Sequence, residues 1–438
     1  MKAFRLVKDI LARYKENVLF SRLLTILGID VLVKLSGIIL LPVYLRLMTQ
    51  EEYGLYSYII SIILTFSTVL NFGLYIPISK FYHNYSSQHD RGKLLFTILW
   101  LLVIILTVCI IPVYYFRLDY HIIELLFKNS IAYDEYRWII LLSVIVSICN
   151  FMLINFFFTS EKISQIKRYN ICRIILINLL SISALFIFPM RDSVNLRLSV
   201  TYLTELLLFL YFMYFFIRET IPKLDLKLAL SSLKLGLPVM VSAIFGIVIN
   251  YSDRFFLEKY TSLKELSTYF LALSCASVIP MIFTSFQNAW LPIFLKEKDF
   301  SKNIIKTRKL MFTLFAIFIG ISIAIIIFMK LILVLGIIKQ EYNQVMFILP
   351  ILLLSQSVSS IVPLYTNYLV YFEKTYIASI TGFIISIISL ALSISLIPRF
   401  GVYGAATVSF CSNIFYLLIY FLIIKTYKKK YITSTIQA

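Results

Sequence analysis

Residues 19–41 read LFSRLLTILGIDVLVKLSGIILL, an apolar run that carries three charges, Arg22, Asp30 and Lys34. A helix of this length covers the roughly 30 Å of hydrocarbon in a bilayer. The remainder of the 438-residue chain repeats the pattern, since 60% of all residues are apolar and 14% are charged. The sequence therefore predicts an all-α membrane protein.

Similar apolar runs follow along the whole chain, separated by short charged or turn-rich breaks. A basic linker at 218–234 divides them into six and six, so we expect an N-terminal lobe at 1–217 and a C-terminal lobe at 235–438, with a central cavity between them. The twelve predicted transmembrane helices lie near 19–41, 55–79, 94–116, 138–158, 171–189, 198–217, 234–256, 266–291, 310–336, 344–371, 376–397 and 403–424.

The charge distribution predicts the orientation of these helices. When the 41 lysines and arginines are sorted into alternate loops, about two thirds fall on the side that holds both termini. Both termini are therefore predicted to be cytoplasmic. The formal net charge of +19 belongs to the membrane surface, since no soluble basic domain carries it, and we expect no nucleic-acid partner.

Two halves of the sequence share one plan. Six helices per half preserve the membrane orientation, so we expect the halves to be related by an axis along the membrane normal. The matching groups are Thr49, Glu52 and Tyr56 with Thr261, Glu265 and Tyr269, and Glu161-Lys162 with Glu373-Lys374.

One face of the first helix is polar, because Arg22, Asp30, Lys34 and Gly37 fall within an arc of about 120°. An ionised group inside a bilayer needs a partner or water, so this face is predicted to line the cavity, with Arg22 and Lys34 binding substrate. Alternatively, Asp30 and Lys34 neutralise each other and Arg22 reaches the headgroups.

Other polar residues within apolar runs are further candidates. Asn250 and Arg254 are predicted to bind substrate, with Arg254 equally suited to anchor a helix end at the interface. Asp30, Glu205 and Asp253 are candidate sites for a coupling proton or sodium ion, although Glu205 is equally suited to a hydrogen bond with a neighbouring helix. Amides beside helix breakers extend the predicted substrate site: Asn71, Gln287 and Gln356.

Catalytic and cofactor sites are not predicted. His83, His89 and His121 lack ligand spacing or an adjacent nucleophile, and the five cysteines include no close pair at metal-ligand spacing. A phosphate-cradling glycine-rich loop is also absent from the sequence. We therefore expect a transporter, without metal or cofactor, rather than an enzyme.

Several stretches resemble the polysaccharide flippase family, which includes the O-antigen flippases of the multidrug/oligosaccharidyl-lipid/polysaccharide exporter superfamily. The residues that carry the resemblance are LPVYL at 41–45, EEYGLY at 51–56, FGL at 72–74, SKFY at 79–82 and LIPRFGVYGAA at 396–406. Their order and spacing extend the resemblance over nearly the whole chain.

The resemblance implies alternating access between two six-helix lobes in the bacterial inner (cytoplasmic) membrane. The implied substrate is an undecaprenyl diphosphate-linked oligosaccharide for O-antigen or capsule synthesis, with a polysaccharide polymerase as a partner. Arg22 and Lys34 would supply cationic donors for the diphosphate. An ion-coupled multidrug exporter of the same superfamily is the alternative, in which Asp30, Glu205 and Asp253 would control activity.

Overall fold

A computed structural model describes residues 36–128, 131–189, 191–296, 300–372, 374 and 376–437 of the chain. In the first half of this region the backbone forms α-helices joined by short connections. These are α1 Ser36–Leu47, α2 Gln50–Leu70, α3 Tyr75–Phe81, α4 Gln88–Tyr115, α5 Leu118–Leu126, α6 Tyr133–Thr159, α7 Ile163–Ile187 and α8 Ser193–Ile217.

The second half continues in the same manner. Its helices are α9 Leu226–Tyr260, α10 Leu263–Ala276, α11 Val278–Lys296, α12 Phe300–Val334, α13 Val345–Tyr371 and α14 Tyr376–Gln437. Helix α14 is two helices joined at Gly401, where φ is 51° and ψ is −129°.

The number of membrane spans agrees with the sequence. In the described residues, 10 helical segments are long and apolar enough to cross a bilayer. Gly401 divides the last of these, Tyr376–Tyr427, into two spans, and the apolar α1 continues the first predicted span. The predicted all-α membrane fold with about twelve spanning helices is confirmed.

Several helix boundaries differ from the sequence-based prediction, and three of these differences concern the linker and two interrupted spans. Helix α9 begins at Leu226, so residues 226–234 of the predicted linker are helical and the connection is residues 218–225. The predicted span at 55–79 is interrupted after Leu70, because Phe72 and Gly73 adopt positive φ values of 50° and 65°. The predicted span at 266–291 is divided between α10 and α11. The lobe boundaries at 217 and 235 stay a prediction.

The sequence repeat corresponds to matching helix starts. Thr49 and Glu52 form a capping box at the start of α2, and Ser262 and Glu265 form one at the start of α10. Each box satisfies two backbone N–H groups that a helix start leaves free. The structural counterpart of Thr49 is therefore Ser262 rather than Thr261.

The connections lie on two opposite faces of the helix bundle. We name face A by the connections at 48–49, 116–117, 188–189, 261–262 and 335–344, together with the bend at Gly401. Face B is named by the connections 82–87, 160–162 and 218–225 and by the end of α13 at Tyr371. Because both ends of the described chain extend toward face B, it is the face predicted to be cytoplasmic.

The two halves contact each other closely on face A. A Cβ atom on Gly54 would lie 2.2 Å from the carbonyl oxygen of Leu263, so the starts of α2 and α10 pack backbone to backbone. Gln50 Nε2 donates to Thr268 Oγ1 at 3.1 Å, and the Arg46 guanidinium donates to the Gly336 carbonyl at 2.9 Å. These contacts close face A between the halves.

Toward face B, the halves meet where the break after α2 crosses α9. A Cβ on Gly73 would lie 2.5 Å from the Gly236 carbonyl oxygen, and a Cβ on Gly236 would lie 2.4 Å from that of Phe72. Asn71 Oδ1 accepts a hydrogen bond from the Gly73 N–H at 2.8 Å and fixes the break. This crossing depends on the missing side chains of both glycines.

Candidate functional site

A cavity of about 410 Å³ lies between the N-terminal half and the beginning of α9. Helices α2, α3, α6, α7 and α8 supply its walls on one side, and residues 239–243 of α9 supply the other. The lining residues lie near the middle of their helices or on the face B side of the middle. The cavity therefore occupies the centre of the predicted membrane region, with one wall from the C-terminal half.

A charged pair lines this cavity. Arg173 of α7 donates from Nε and Nη2 to Oε1 of Glu205 on α8, at 2.9 and 2.5 Å. The Glu205 side chain is 5% exposed and the Arg173 side chain is 38% exposed. The carboxylate is thus buried against the helices, while the Arg173 side chain is partly exposed and lines the cavity.

The pair explains how two charges are tolerated at this depth. A single ion inside the bilayer is costly, by a few kcal/mol or more, and a hydrogen-bonded pair of opposite charge lowers that cost. Asn150 Nδ2 of α6 also donates to Glu205 Oε2 at 3.3 Å. Three helices are therefore joined at the cavity by one carboxylate.

The unused hydrogen-bonding groups of the cluster determine what it can bind. Arg173 directs two donors at one carboxylate oxygen, and its planar fork suits the oxygens of a phosphate or carboxylate ligand. The Asn150 Oδ1 atom is buried without a hydrogen-bond partner among the described residues. The cavity therefore combines an arginine with neutral polar side chains, which fits a ligand that carries both anionic oxygens and hydroxyl groups.

Two of the predicted site residues, Glu205 and Asn71, line this cavity. In the sequence, Glu205 is an isolated carboxyl group within its span. In the structure it is paired with Arg173. Asn71 Nδ2 donates to the Ser67 and Thr68 carbonyls at 3.1 and 2.9 Å, so its amide stabilises the helix break.

The predicted residues of α9 lie elsewhere, beside α2 and α10. Arg254 Nη1 donates to Ser61 Oγ of α2 at 2.8 Å. Asp253 is buried and accepts hydrogen bonds from the Tyr269 hydroxyl and from the Arg254 backbone N–H. This group, which we name the seam cluster (Ser61, Asp253, Arg254 and Tyr269), joins the two halves. Asn250 is exposed, and its amide donates to the Gly246 carbonyl of its own helix at 2.7 Å.

The remaining predicted residues do not line the 410 Å³ cavity. Gln287 of α11 exchanges hydrogen bonds with Asn367 of α13, the shorter at 2.7 Å, and Gln356 of α13 is half-buried. Arg22, Asp30 and Lys34 lie outside the described residues. The structure brings Asn71 and Glu205 to one cavity and places Asn250, Asp253 and Arg254 together on α9.

Sequence reasoning missed Arg173 and Asn150. Arg173 lies at the very start of the predicted span 171–189, where a charge needs no partner, whereas α7 begins at Ile163 and places Arg173 in its third turn. Asn150 was an unremarked amide within the apolar run of α6. A signal for Arg173 was present in the sequence. If the polar residues 164–168 form the first turn of the helix, Arg173 lies one to two turns further along and therefore inside the membrane.

Within the part of the chain that the structure describes, no three His, Cys, Asp or Glu side chains lie close enough together to hold a metal ion.

Solved structures with the same fold are membrane transporters. The lipid II flippase MurJ, in an inward closed conformation, is 15% identical with a TM-score of 0.74, covering 91% of this chain and 87% of that chain. An inward-facing multidrug resistance MATE family transporter of the MOP superfamily is 14% identical with a TM-score of 0.65, covering 92% and 95%. The Vibrio cholerae MATE transporter VcmN is 14% identical with a TM-score of 0.60, covering 94% and 96%.

At these identities the likeness shows the fold. No curated protein sequence matches the chain significantly. A family model described as "Polysaccharide biosynthesis protein" matches residues 21–298, well over half of the sequence. The chain is therefore a multi-pass membrane protein that belongs to the polysaccharide biosynthesis protein family.

Proposed function

We propose that the protein is a flippase that moves undecaprenyl diphosphate-linked oligosaccharide repeat units across the bacterial inner membrane for O-antigen or capsule synthesis. The observation that carries the proposal is the Arg173–Glu205 pair, which places a partly exposed arginine in the wall of a cavity at mid-membrane depth. Membership of the polysaccharide biosynthesis protein family and the MurJ-like fold support it.

The chemistry of the substrate matches the cavity. A diphosphate requires cationic donors in a space that excludes lipid, and its sugars require amides and hydroxyls. Arg173 supplies the cation, and Asn150, Ser147 and Thr68 supply polar groups in the same lining. The polyprenyl tail stays in the bilayer. Arg22 and Lys34 are proposed as further ligands of the diphosphate.

Glu205 has a role in the return of the empty carrier. In the described state, Glu205 neutralises Arg173, so the empty cavity does not hold an isolated cation. An arriving diphosphate would compete with Glu205 for the guanidinium and replace it as the counter-anion. Arg173 then binds the substrate, and Glu205 positions Arg173 when the substrate has left.

The direction of transport follows from the proposed orientation. Face B carries the larger share of lysine and arginine and is proposed to be cytoplasmic, with both termini on it. The described state is closed on face A by the contacts between Gly54 and Leu263 and between Gln50 and Thr268. Substrate release on face A therefore requires separation of α2 from α10.

The proposal is tested by removing the protein from its host. Surface polysaccharide should be lost, and lipid-linked repeat units should accumulate on the cytoplasmic side of the membrane. A restored phenotype with wild type, but not with Arg173→Gln, would support the assigned site. Intact surface polysaccharide without accumulated repeat units would sink the proposal.

An ion-coupled multidrug exporter is the second candidate. It is favoured by two buried carboxylates in spanning helices, Glu205 and Asp253, and by the MATE-like fold. In that case Glu205→Gln and Asp253→Asn, rather than Arg173→Gln, would abolish activity. Drug-resistance profiles of cells that express each variant separate the two candidates.

A further inference from the structure

A second polar pocket, of about 220 Å³, lies on face B, away from the central cavity. It forms where α4 begins, where α8 ends and where the connection between the halves starts. Arg91, Arg218 and Thr220 line it. Arg91 lies in the first turn of α4 and Arg218 directly follows α8, so both are at the level where lipid headgroups meet the protein.

The pocket has an excess of positive charge. Arg91 Nε donates to the Tyr85 carbonyl at 2.7 Å, and its guanidinium lies 4.9 Å from the Tyr82 ring centroid. Arg218 is exposed and lies over the Tyr214 ring at 5.5 Å. The carboxylate in the lining, Glu219, forms an ion pair with Lys162. Two guanidinium groups are therefore available to an anion.

Exposed apolar side chains lie on the same helices next to this pocket. Ile217 and Tyr214 of α8 are 55% and 57% exposed, and Trp100 of α4 is 43% exposed. The space between the helices at this level is only about 30 Å³, which is too small for an acyl chain. A basic pocket beside an exposed apolar helix surface matches the two ends of a lipid molecule.

We infer that this site binds an anionic phospholipid, with the phosphate between Arg91 and Arg218 and an acyl chain along the exposed apolar surface of α8. Arginine forks bind phosphate oxygens in pairs, and basic pockets between helices on the cytoplasmic side recognise anionic headgroups. This inference is independent of the proposed flipping activity. A lipid can bind at the site in any membrane that contains the protein, and the central cavity takes no part in the binding.

The position of the site gives the bound lipid a structural consequence. The connection 218–225 forms one wall, and the Ile221 N–H donates to the Gly92 carbonyl at 3.1 Å. A Cβ on Gly92 would lie 2.7 Å from Ile221, so the connection packs directly on α4. A phosphate held by Arg91 and Arg218 would tie the connection to the N-terminal half.

The test is lipid retention by purified protein, measured by native mass spectrometry. Phosphatidylglycerol and phosphatidylcholine with identical chains are offered separately. Wild type should retain phosphatidylglycerol in preference to phosphatidylcholine, and Arg91→Gln/Arg218→Gln should lower its retention about thirtyfold. The matched control is Lys167→Gln/Arg168→Gln, which removes two exposed charges from the same face and should behave as wild type.

A further variant keeps the test decisive if Arg91→Gln fails to fold. Arg218→Gln changes an exposed residue and should give a partial loss of phosphatidylglycerol. Equal retention of the two lipids by wild type, or unchanged retention in the arginine variants, would overturn the inference.

A thermal-stability assay distinguishes a lipid from a free anion. Phosphatidylglycerol should raise the unfolding temperature of wild type, whereas inorganic phosphate at the same concentration should not. Equal stabilisation by inorganic phosphate would overturn the assignment to lipid. Because Arg173 is unchanged in every variant, failure here leaves the flippase proposal standing, and failure of flipping leaves this site standing.

Discussion

The cavity pair and the seam cluster use the same chemistry in different surroundings. Arg173 faces a cavity and shares its guanidinium with one carboxylate on a neighbouring helix. Arg254 lies between the halves, where it donates to Ser61 and lies 4.3 Å from the Tyr251 ring centroid. One arginine lines a cavity, and the other forms a hydrogen bond between the two halves.

The difference indicates separate roles for the two arginines. Binding an anion needs a cation that can exchange its partner, and Arg173 has a single carboxylate to exchange among its described contacts. Holding two halves together needs contacts that form in one conformation, and the Arg254–Ser61 hydrogen bond spans α9 and α2. We expect changes at Arg173 to affect ligand binding and changes around Arg254 to affect closure of face A.

The largest effect is expected at the cavity pair. Arg173→Gln leaves Glu205 buried without its cation and should lower the free energy of unfolding by about 3 kcal/mol. This is the low end of the cost of breaking a buried ion pair, because Arg173 is partly exposed. Thermal unfolding in detergent measures the change in stability. Adding Glu205→Gln should recover most of the stability, because both charges are then removed. A double variant as unstable as the single one would contradict the pairing.

The second effect tests the contact on face A. Gly54→Ala places a methyl group 2.2 Å from the Leu263 carbonyl oxygen and should cost about 2 kcal/mol through overpacking. Gly246→Ala is the matched control, since nothing lies within 4 Å of its added Cβ, and it should be neutral or slightly stabilising. Equal thermal unfolding of the two variants would refute the close approach of α2 and α10.

A smaller effect is expected at the seam cluster. Ser61→Ala removes the hydroxyl that accepts from Arg254 and should cost about 1.5 kcal/mol. It should also widen face A, as measured by the distance between spin labels at the exposed Leu125 and Leu335. Ser242→Ala, whose hydroxyl bonds within its own exposed helix turn, is the control. Identical distance distributions in both variants would argue against a role in closure.

The smallest effect compares the two halves directly. Thr49→Ala and Ser262→Ala each remove one capping hydroxyl and should each cost about 1 kcal/mol in unfolding free energy. Because both residues close a capping box with a glutamate three positions later, the two costs should agree closely. A loss confined to one variant would show that the helix starts are not equivalent.

The sequence predicts the membrane architecture well because the determining property is local. Each apolar run between charged breaks must form a helix to satisfy its backbone in lipid, so the number of spans follows from the runs. The repeat is also recognisable in the sequence around Glu52 and Glu265, because the residues that form a capping box lie within four positions of each other. Asn71 and Gly73 are recognisable in the sequence as an amide and a helix breaker, but the span that contains them was predicted as continuous.

The candidate site is less predictable because it depends on which helices become neighbours. Glu205 was identified as a polar residue in a span, but its partner Arg173 lies 32 positions earlier on another helix. The polar first turns of α7 also obscured where that helix begins. Gln287 pairs with Asn367, 80 positions away, through a contact that no local pattern predicts.

The most direct test of the account is leaflet exchange of a labelled undecaprenyl diphosphate oligosaccharide in liposomes that contain wild type, Arg173→Gln or Arg168→Gln. Arg168 is exposed near the start of α7 and serves as the matched control. The account predicts rapid exchange with wild type and Arg168→Gln, and a rate about a hundredfold lower with folded Arg173→Gln. Exchange by Arg173→Gln at the wild-type rate, or by wild type no faster than by empty liposomes, would contradict it.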